Sequence, residues 1–133
     1  KDLKRRVIVT DDDNLIALKV SVRNHDFSAR PFTSWYGHTF ELADGDITLA
    51  ELFDDQDRTY QMLKFDDVSS LEGQRLADQI EKDDFVRDTL VFVVPEDVDR
   101  KKIKYFRLAL PAMAVGLEGY FRFQIPVSMI SGY

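Results

Sequence analysis

Hydrophobic and polar residues alternate along several segments, and the alternation is clearest in residues 15–23. Ile16, Leu18, Val20 and Val22 take every second position there, and the positions between them carry small or charged residues. Successive side chains of a β-strand point to opposite faces, so this pattern predicts a strand with one buried face.

Three segments nearer the C-terminus, 88–94, 103–110 and 119–126, show the same alternation, and each ends at or just before a proline. Proline lacks the amide donor that a sheet ladder needs and is typical of a strand end. Together with weaker segments they predict about seven to nine short strands, which indicates an all-β antiparallel sandwich of two sheets.

Residues 66–84 interrupt this pattern because they are polar, acidic and poor in β-branched residues. Ser69 and Glu72 have the spacing of a capping box, which is compatible with a short helix near 71–82. Gly73 weakens that helix, so a long loop is the alternative.

Length and charge restrict the possibilities further. The 133 residues fit one domain, residues 1–133. A net charge of −6 disfavours nucleic acid and anionic membrane surfaces as partners, because both attract basic proteins. No apolar run is long enough to insert into a bilayer. The absence of cysteine excludes disulfides and thiolate chemistry.

The sequence carries no catalytic signature. His25 and His38 have no second histidine at metal-ligand spacing, and neither is part of a catalytic motif with an orienting acid. No serine lies in a Gly-x-Ser-x-Gly setting. We therefore expect a protein that is not an enzyme and has no catalytic or cofactor-binding residues.

Acidic turns suggest one possible metal site. Calcium binds six to eight oxygen ligands, and clustered aspartates in neighbouring turns supply them. The candidate ligands are Asp11, Asp13, Asp54, Asp55 and Asp57. The alternative interpretation is ordinary solvated turns, where aspartate is favoured because its side chain accepts backbone hydrogen bonds.

Four aromatic residues are candidates for an interaction surface: Trp35, Tyr36, Tyr105 and Tyr120. Trp35 is either an exposed stacking platform for a sugar or peptide or the anchor of the core, and we favour the core. Tyr36 would then face solvent. Tyr105 and Tyr120 are expected on the outward face of their strands.

Several segments together resemble a known family. They are residues 20–24 (a strand ending in Arg-Asn), 54–60 (an acidic turn before Arg-Thr-Tyr), 88–92 (Asp-Thr-Leu-Val-Phe) and 108–126. The chain resembles the telokin-like, immunoglobulin-like domain family of bacterial secreted proteins and lipoproteins, including planctomycete-type envelope proteins. The resemblance implies an extracytoplasmic immunoglobulin-like sandwich, often tethered behind a signal or membrane segment, without catalytic residues.

These observations lead to one expected function and one alternative. The chain begins at Lys1 rather than methionine, so we expect it to be cut from a longer precursor that carries a signal or anchor. The expected function is a non-catalytic extracytoplasmic module that binds a protein or another cell-envelope component. The alternative is a calcium- or carbohydrate-binding module that uses the acidic turns and exposed aromatic residues.

Overall fold

The computed structural model describes residues 2–9, 15–36, 38–63 and 75–131. These residues form strands and three short 3₁₀ turns, at Arg100–Lys102, Ala112–Val115 and Val127–Met129, and contain no α-helix. The strands are β1 (Asp2–Val9), β2 (Leu15–Arg23), β3 (Arg30–Pro31), β4 (Phe40–Glu41), β5 (Ile47–Thr48), β6 (Glu51–Asp54), β7 (Thr59–Tyr60), β8 (Gln79–Ile80), β9 (Phe85–Val93), β10 (Tyr105–Pro111), β11 (Tyr120–Pro126) and β12 (Ile130–Ser131).

The strands build two four-stranded sheets. The first has the order β12-β1-β2-β9 and the second the order β11-β10-β6-β7. Every pairing within them is antiparallel except that of β12 with β1, which is parallel. Two short ladders, β3-β8 and β4-β5, lie outside these sheets. The predicted all-β sandwich is confirmed, while its immunoglobulin-like subtype stays a prediction.

The core lies between the two sheets and follows the alternation in sequence. Leu18 and Leu90 from the first sheet join Leu52 and Leu108 from the second in one cluster, and each is at most 1% exposed. Burying one such side chain contributes about 1.5–3 kcal/mol. The period-two pattern therefore identifies the residues that hold the sheets together.

Of the two alternatives for this segment, the helix near 71–82 is wrong for the part that the structure describes, residues 75–82. Arg75 pairs with Arg87 of β9 in an antiparallel bridge, and β8 pairs with β3. Ile80 is 2% exposed and packs into the core. Sheet pairing and core burial outweigh a capping box worth about 1 kcal/mol. Residues 71–74 lie outside the described residues.

Neighbouring residues of β10 provide a test of this two-layer packing. Leu108→Ala should lower the free energy of unfolding by about 2–5 kcal/mol, because it leaves a cavity between the sheets. Arg107→Ala should cost less than about 1 kcal/mol, because Arg107 faces outward and its ion pair is exposed. Urea denaturation measures both. Equal losses in the two variants would contradict the packing described here.

Candidate functional site

Trp35 is the anchor of the core. Its side chain is fully buried, and its ring meets Phe32 edge-on with centroids 5.7 Å apart. Its indole N–H donates to the carbonyl oxygen of Pro111 at 2.9 Å. The core role favoured from the sequence is confirmed. Trp35 is therefore not an exposed stacking platform, and its place on the candidate interaction surface was wrong.

Asp88 explains how Trp35 is held inside. This aspartate lies on the inner face of β9 and is fully buried. The Ser34 hydroxyl donates to its two carboxylate oxygens at 2.9 and 3.0 Å, and the Trp35 amide donates to Oδ2 at 2.7 Å. A buried polar group is costly unless it is hydrogen-bonded, so the carboxylate fixes the backbone at Ser34 and Trp35.

Tyr36 corrects a second expectation. It was expected to face solvent, opposite Trp35, but it is only 2% exposed and belongs to the core cluster. Its amide donates to the Ser34 hydroxyl at 3.0 Å, and residues 35–36 form a bend and turn rather than a strand. Period-two alternation does not apply in a turn, so neighbouring side chains both enter the core.

Tyr105 and Tyr120 lie on the outer face of the second sheet, opposite the side chains of β10 and β11 that pack against the core, and both are half-buried. The Tyr120 hydroxyl shares a hydrogen bond of 2.9 Å with the hydroxyl of Thr48, and Arg122 lies over the Tyr120 ring at 5.2 Å. The outward placement agrees with the sequence. Their role in binding stays a prediction.

The same outer face contains an open depression of about 580 Å³. Its lining includes Phe53, Asp57, Arg107, Ala109, Arg122 and Gln124. The volume lies within the usual range for small-molecule sites. Asp57 and Arg107 form an ion pair with each other across this surface. The depression thus has no convergent set of unsatisfied charges.

Asp54 fixes the acidic turn between β6 and β7. Its Oδ1 accepts the amides of Gln56 and Arg58 at 2.8 and 3.1 Å. Its Oδ2 accepts Nε of Arg58 at 2.6 Å and the Tyr60 hydroxyl at 2.7 Å. Asp57 has a φ of 64°, which belongs to the left-handed region found in tight hairpin loops. Asp54 is therefore a turn-forming residue whose oxygens are already bonded.

Asp55 and Asp57, the other predicted metal ligands that the structure describes, do not form a metal-binding group with Asp54. Oδ2 of Asp55 accepts the Lys104 amide at 3.0 Å, and Asp57 pairs with Arg107. Within the described part of the chain, no three histidine, cysteine, aspartate or glutamate side chains are grouped for a metal ion. Asp11 and Asp13 lie outside the described residues.

Calcium binding stays a prediction, and an unchanged melting temperature in millimolar calcium would remove it.

The hydrogen bonds of Asp54 also control its acidity. Burial alone raises the pKa of Asp54. The carboxylate accepts hydrogen bonds from the Tyr60 hydroxyl, from the Arg58 and Gln56 amides and from the Arg58 guanidinium. Together these bonds outweigh the effect of burial and place the pKa below its usual value of 3.8. The folded state thus favours the ionised form of Asp54.

A surface that the sequence did not single out lies at one end of the sandwich. We name it the loop end and define it as residues 24–29, which follow β2, and residues 81–84, which precede β9. Phe27 stands at its tip and is 94% exposed, the largest exposure among the large hydrophobic residues described. Lys82 approaches the Phe27 ring at 5.4 Å. The sequence did contain a signal for this surface, because Phe27 is a large apolar residue among turn-forming residues.

Asn24 holds the two loops of this surface together. It is 1% exposed, and its side-chain amide donates to the carbonyl oxygens of Ser28 and Ile80 at 2.9 and 2.7 Å. Its backbone amide donates to Asp84 at 3.0 Å, and its carbonyl accepts the Asp83 amide at 2.7 Å. These bonds hold Phe27 on a defined backbone.

The two histidines lie in different surroundings. Nδ1 of His25 is 3.9 Å from a carboxylate oxygen of Asp83, and both side chains are well exposed. His38 is exposed near Thr39 and Leu49, beside a separate depression. Neither arrangement shows a nucleophile and a base with an orienting acid.

Comparisons of the chain with protein-family models, curated proteins and solved structures give no match. The telokin-like resemblance therefore stays a prediction from the sequence motifs. In the described ranges, no helix has the length and apolar character needed to cross a bilayer.

Removing one donor to Asp54 tests the acidic turn. Tyr60→Phe should lower the free energy of unfolding by about 1.5–3 kcal/mol at neutral pH, because it deletes a hydrogen bond to an ionised group. The contribution of Asp54 is complete above its unfolded pKa near 3.8 and is lost as pH falls through its lower folded pKa.

In Tyr60→Phe, the pKa of Asp54 in the folded state should rise toward 3.8. The variant should therefore lose less stability than the native protein when the pH is lowered. Urea denaturation between about pH 2 and 7 measures the effect, and two-dimensional NMR follows the carboxyl directly. Arg107→Ala, which removes a different ion pair of the same hairpin, serves as the control. An Asp54 titration that is identical in Tyr60→Phe and the native chain would show that the hydroxyl has no role.

Proposed function

We propose that the protein is a non-catalytic extracytoplasmic module that binds a protein or another cell-envelope component through the loop end. The exposed ring of Phe27 is the observation that carries the proposal. Placing a large apolar side chain in water is unfavourable, and aromatic residues are common where interfaces gain most of their energy.

The rigidity of the loop supports the same function. Asn24 joins both loops, and Asp26 accepts Nε of Arg30 at 2.6 Å, so bonds on either side of Phe27 hold its backbone. A backbone that is held before binding loses less conformational entropy when a partner arrives. An exposed aromatic ring on a defined backbone is therefore suited to recognition.

The location and the non-catalytic character have other support. Extracytoplasmic location rests on the resemblance to bacterial secreted proteins and lipoproteins. The non-catalytic role rests on that resemblance and on the lack of a catalytic sequence motif. A shared fold alone does not define function, so the binding surface is the part to test first.

Phe27→Ser tests the surface without changing the core. We expect peptides selected from a random library on the native protein to bind this variant at least about tenfold more weakly, a loss of about 1.4 kcal/mol. Ile47→Ser is the matched control, because Ile47 is another exposed large hydrophobic residue at 68% but lies on β5.

Surface plasmon resonance measures the affinities, and melting curves should match the native protein for both variants. Selected peptides that bind Phe27→Ser as tightly as the native chain would remove the loop end as the binding surface. A library that yields no binder would count against a peptide-binding function.

A further inference from the structure

Three arginines gather around one phenylalanine next to the loop end. The guanidinium carbons of Arg23, Arg75 and Arg87 lie 5.2, 4.0 and 5.4 Å from the centroid of the Phe85 ring. We name this group the arginine cluster. It is notable in a chain of net charge −6, because like charges repel unless something compensates them.

Sheet register brings these residues together. Arg23 of β2 lies directly opposite Phe85 of β9, and Arg87 follows two residues later on the same face. Arg75 pairs with Arg87 through reciprocal backbone hydrogen bonds of 2.8 Å. The guanidinium groups thus approach the ring from two strands and from the segment beside β9.

The described side chains compensate this charge only in part. Arg75 forms an ion pair with Asp84 at 3.1 Å, and Nη1 of Arg23 donates to the backbone oxygen of Asp83 at 3.0 Å. Among the side chains that the structure describes, in residues 15–36, 38–63 and 75–130, no carboxylate forms an ion pair with Arg23 or Arg87.

Three other arginines differ in this respect. Ion pairs join Arg30 to Asp26, Arg58 to Asp54 and Arg107 to Asp57. Arg87 is half-buried, and its side-chain contact is with the Phe85 ring. Stacking on an aromatic ring orients a guanidinium plane but leaves its N–H donors available at the edge. The cluster is thus a set of oriented donors with excess positive charge.

We propose that the arginine cluster binds an oxyanion group, the phosphate or carboxylate of a ligand. Guanidinium forks match both groups with paired hydrogen bonds, and a bound anion relieves the repulsion between the three arginines. The site adjoins the loop end but is independent of Phe27, so its test does not depend on the proposed function.

Titration with inorganic phosphate and with citrate, at constant ionic strength, tests the site. Two-dimensional NMR should show saturable shifts of the backbone amides of Arg23, Arg75 and Arg87 in the native protein. Arg87→Gln should weaken binding about tenfold or more, the equivalent of about 1.4 kcal/mol. A response to phosphate alone or to citrate alone identifies the group that the site prefers.

Arg122→Gln is the matched control, because Arg122 also stacks on an aromatic ring but belongs to the other sheet. Its affinity should stay within about twofold of the native value, since screened long-range attraction is weak. Arg23→Gln gives a second measurement if Arg87→Gln melts at a lower temperature. The proposal is overturned by no saturable shift in the native protein, by unchanged affinity in both cluster variants, or by an equal loss in Arg122→Gln.

Discussion

The structure depends on the rule that a polar group inside an apolar core must find hydrogen-bond partners. Asp88 lies on the inner face of β9, where its neighbours in the strand pattern are apolar. Its carboxylate accepts the Ser34 hydroxyl and the Trp35 amide, and this places the largest side chain of the protein between the sheets. The Trp35 indole then reaches Pro111 on the opposite sheet. One polar residue thereby connects a loop to both layers.

The same rule acts at two other places. Asp54 bonds the amides and side chains of its own hairpin, and Asn24 bonds two loops that are distant in sequence. All three residues are almost completely buried. Each replaces the water that a loop backbone would otherwise bind. The loops are therefore part of the packed structure, and their exposed side chains project from a defined backbone.

This arrangement separates the residues of the core from those of the proposed binding surfaces. The sheets bury alternating apolar residues, while the loop end presents Phe27 and the neighbouring β2 and β9 present Arg23 and Arg87. Acidic residues outnumber basic ones in the chain as a whole, so the arginine cluster is a local exception to the overall charge. An apolar ring beside oriented cations suits a partner that carries both apolar and anionic groups.

The sequence by itself determined the all-β class and the buried faces of β2, β9 and β10, because alternation of side chains is a local property of an extended chain. It also indicated Trp35 as a core residue. It did not determine that Tyr36 is buried, that Arg75 pairs with β9 and β8 with β3, or that three distant arginines meet at Phe85. Those outcomes depend on strand register and on contacts between distant segments, and only the tertiary structure specifies them.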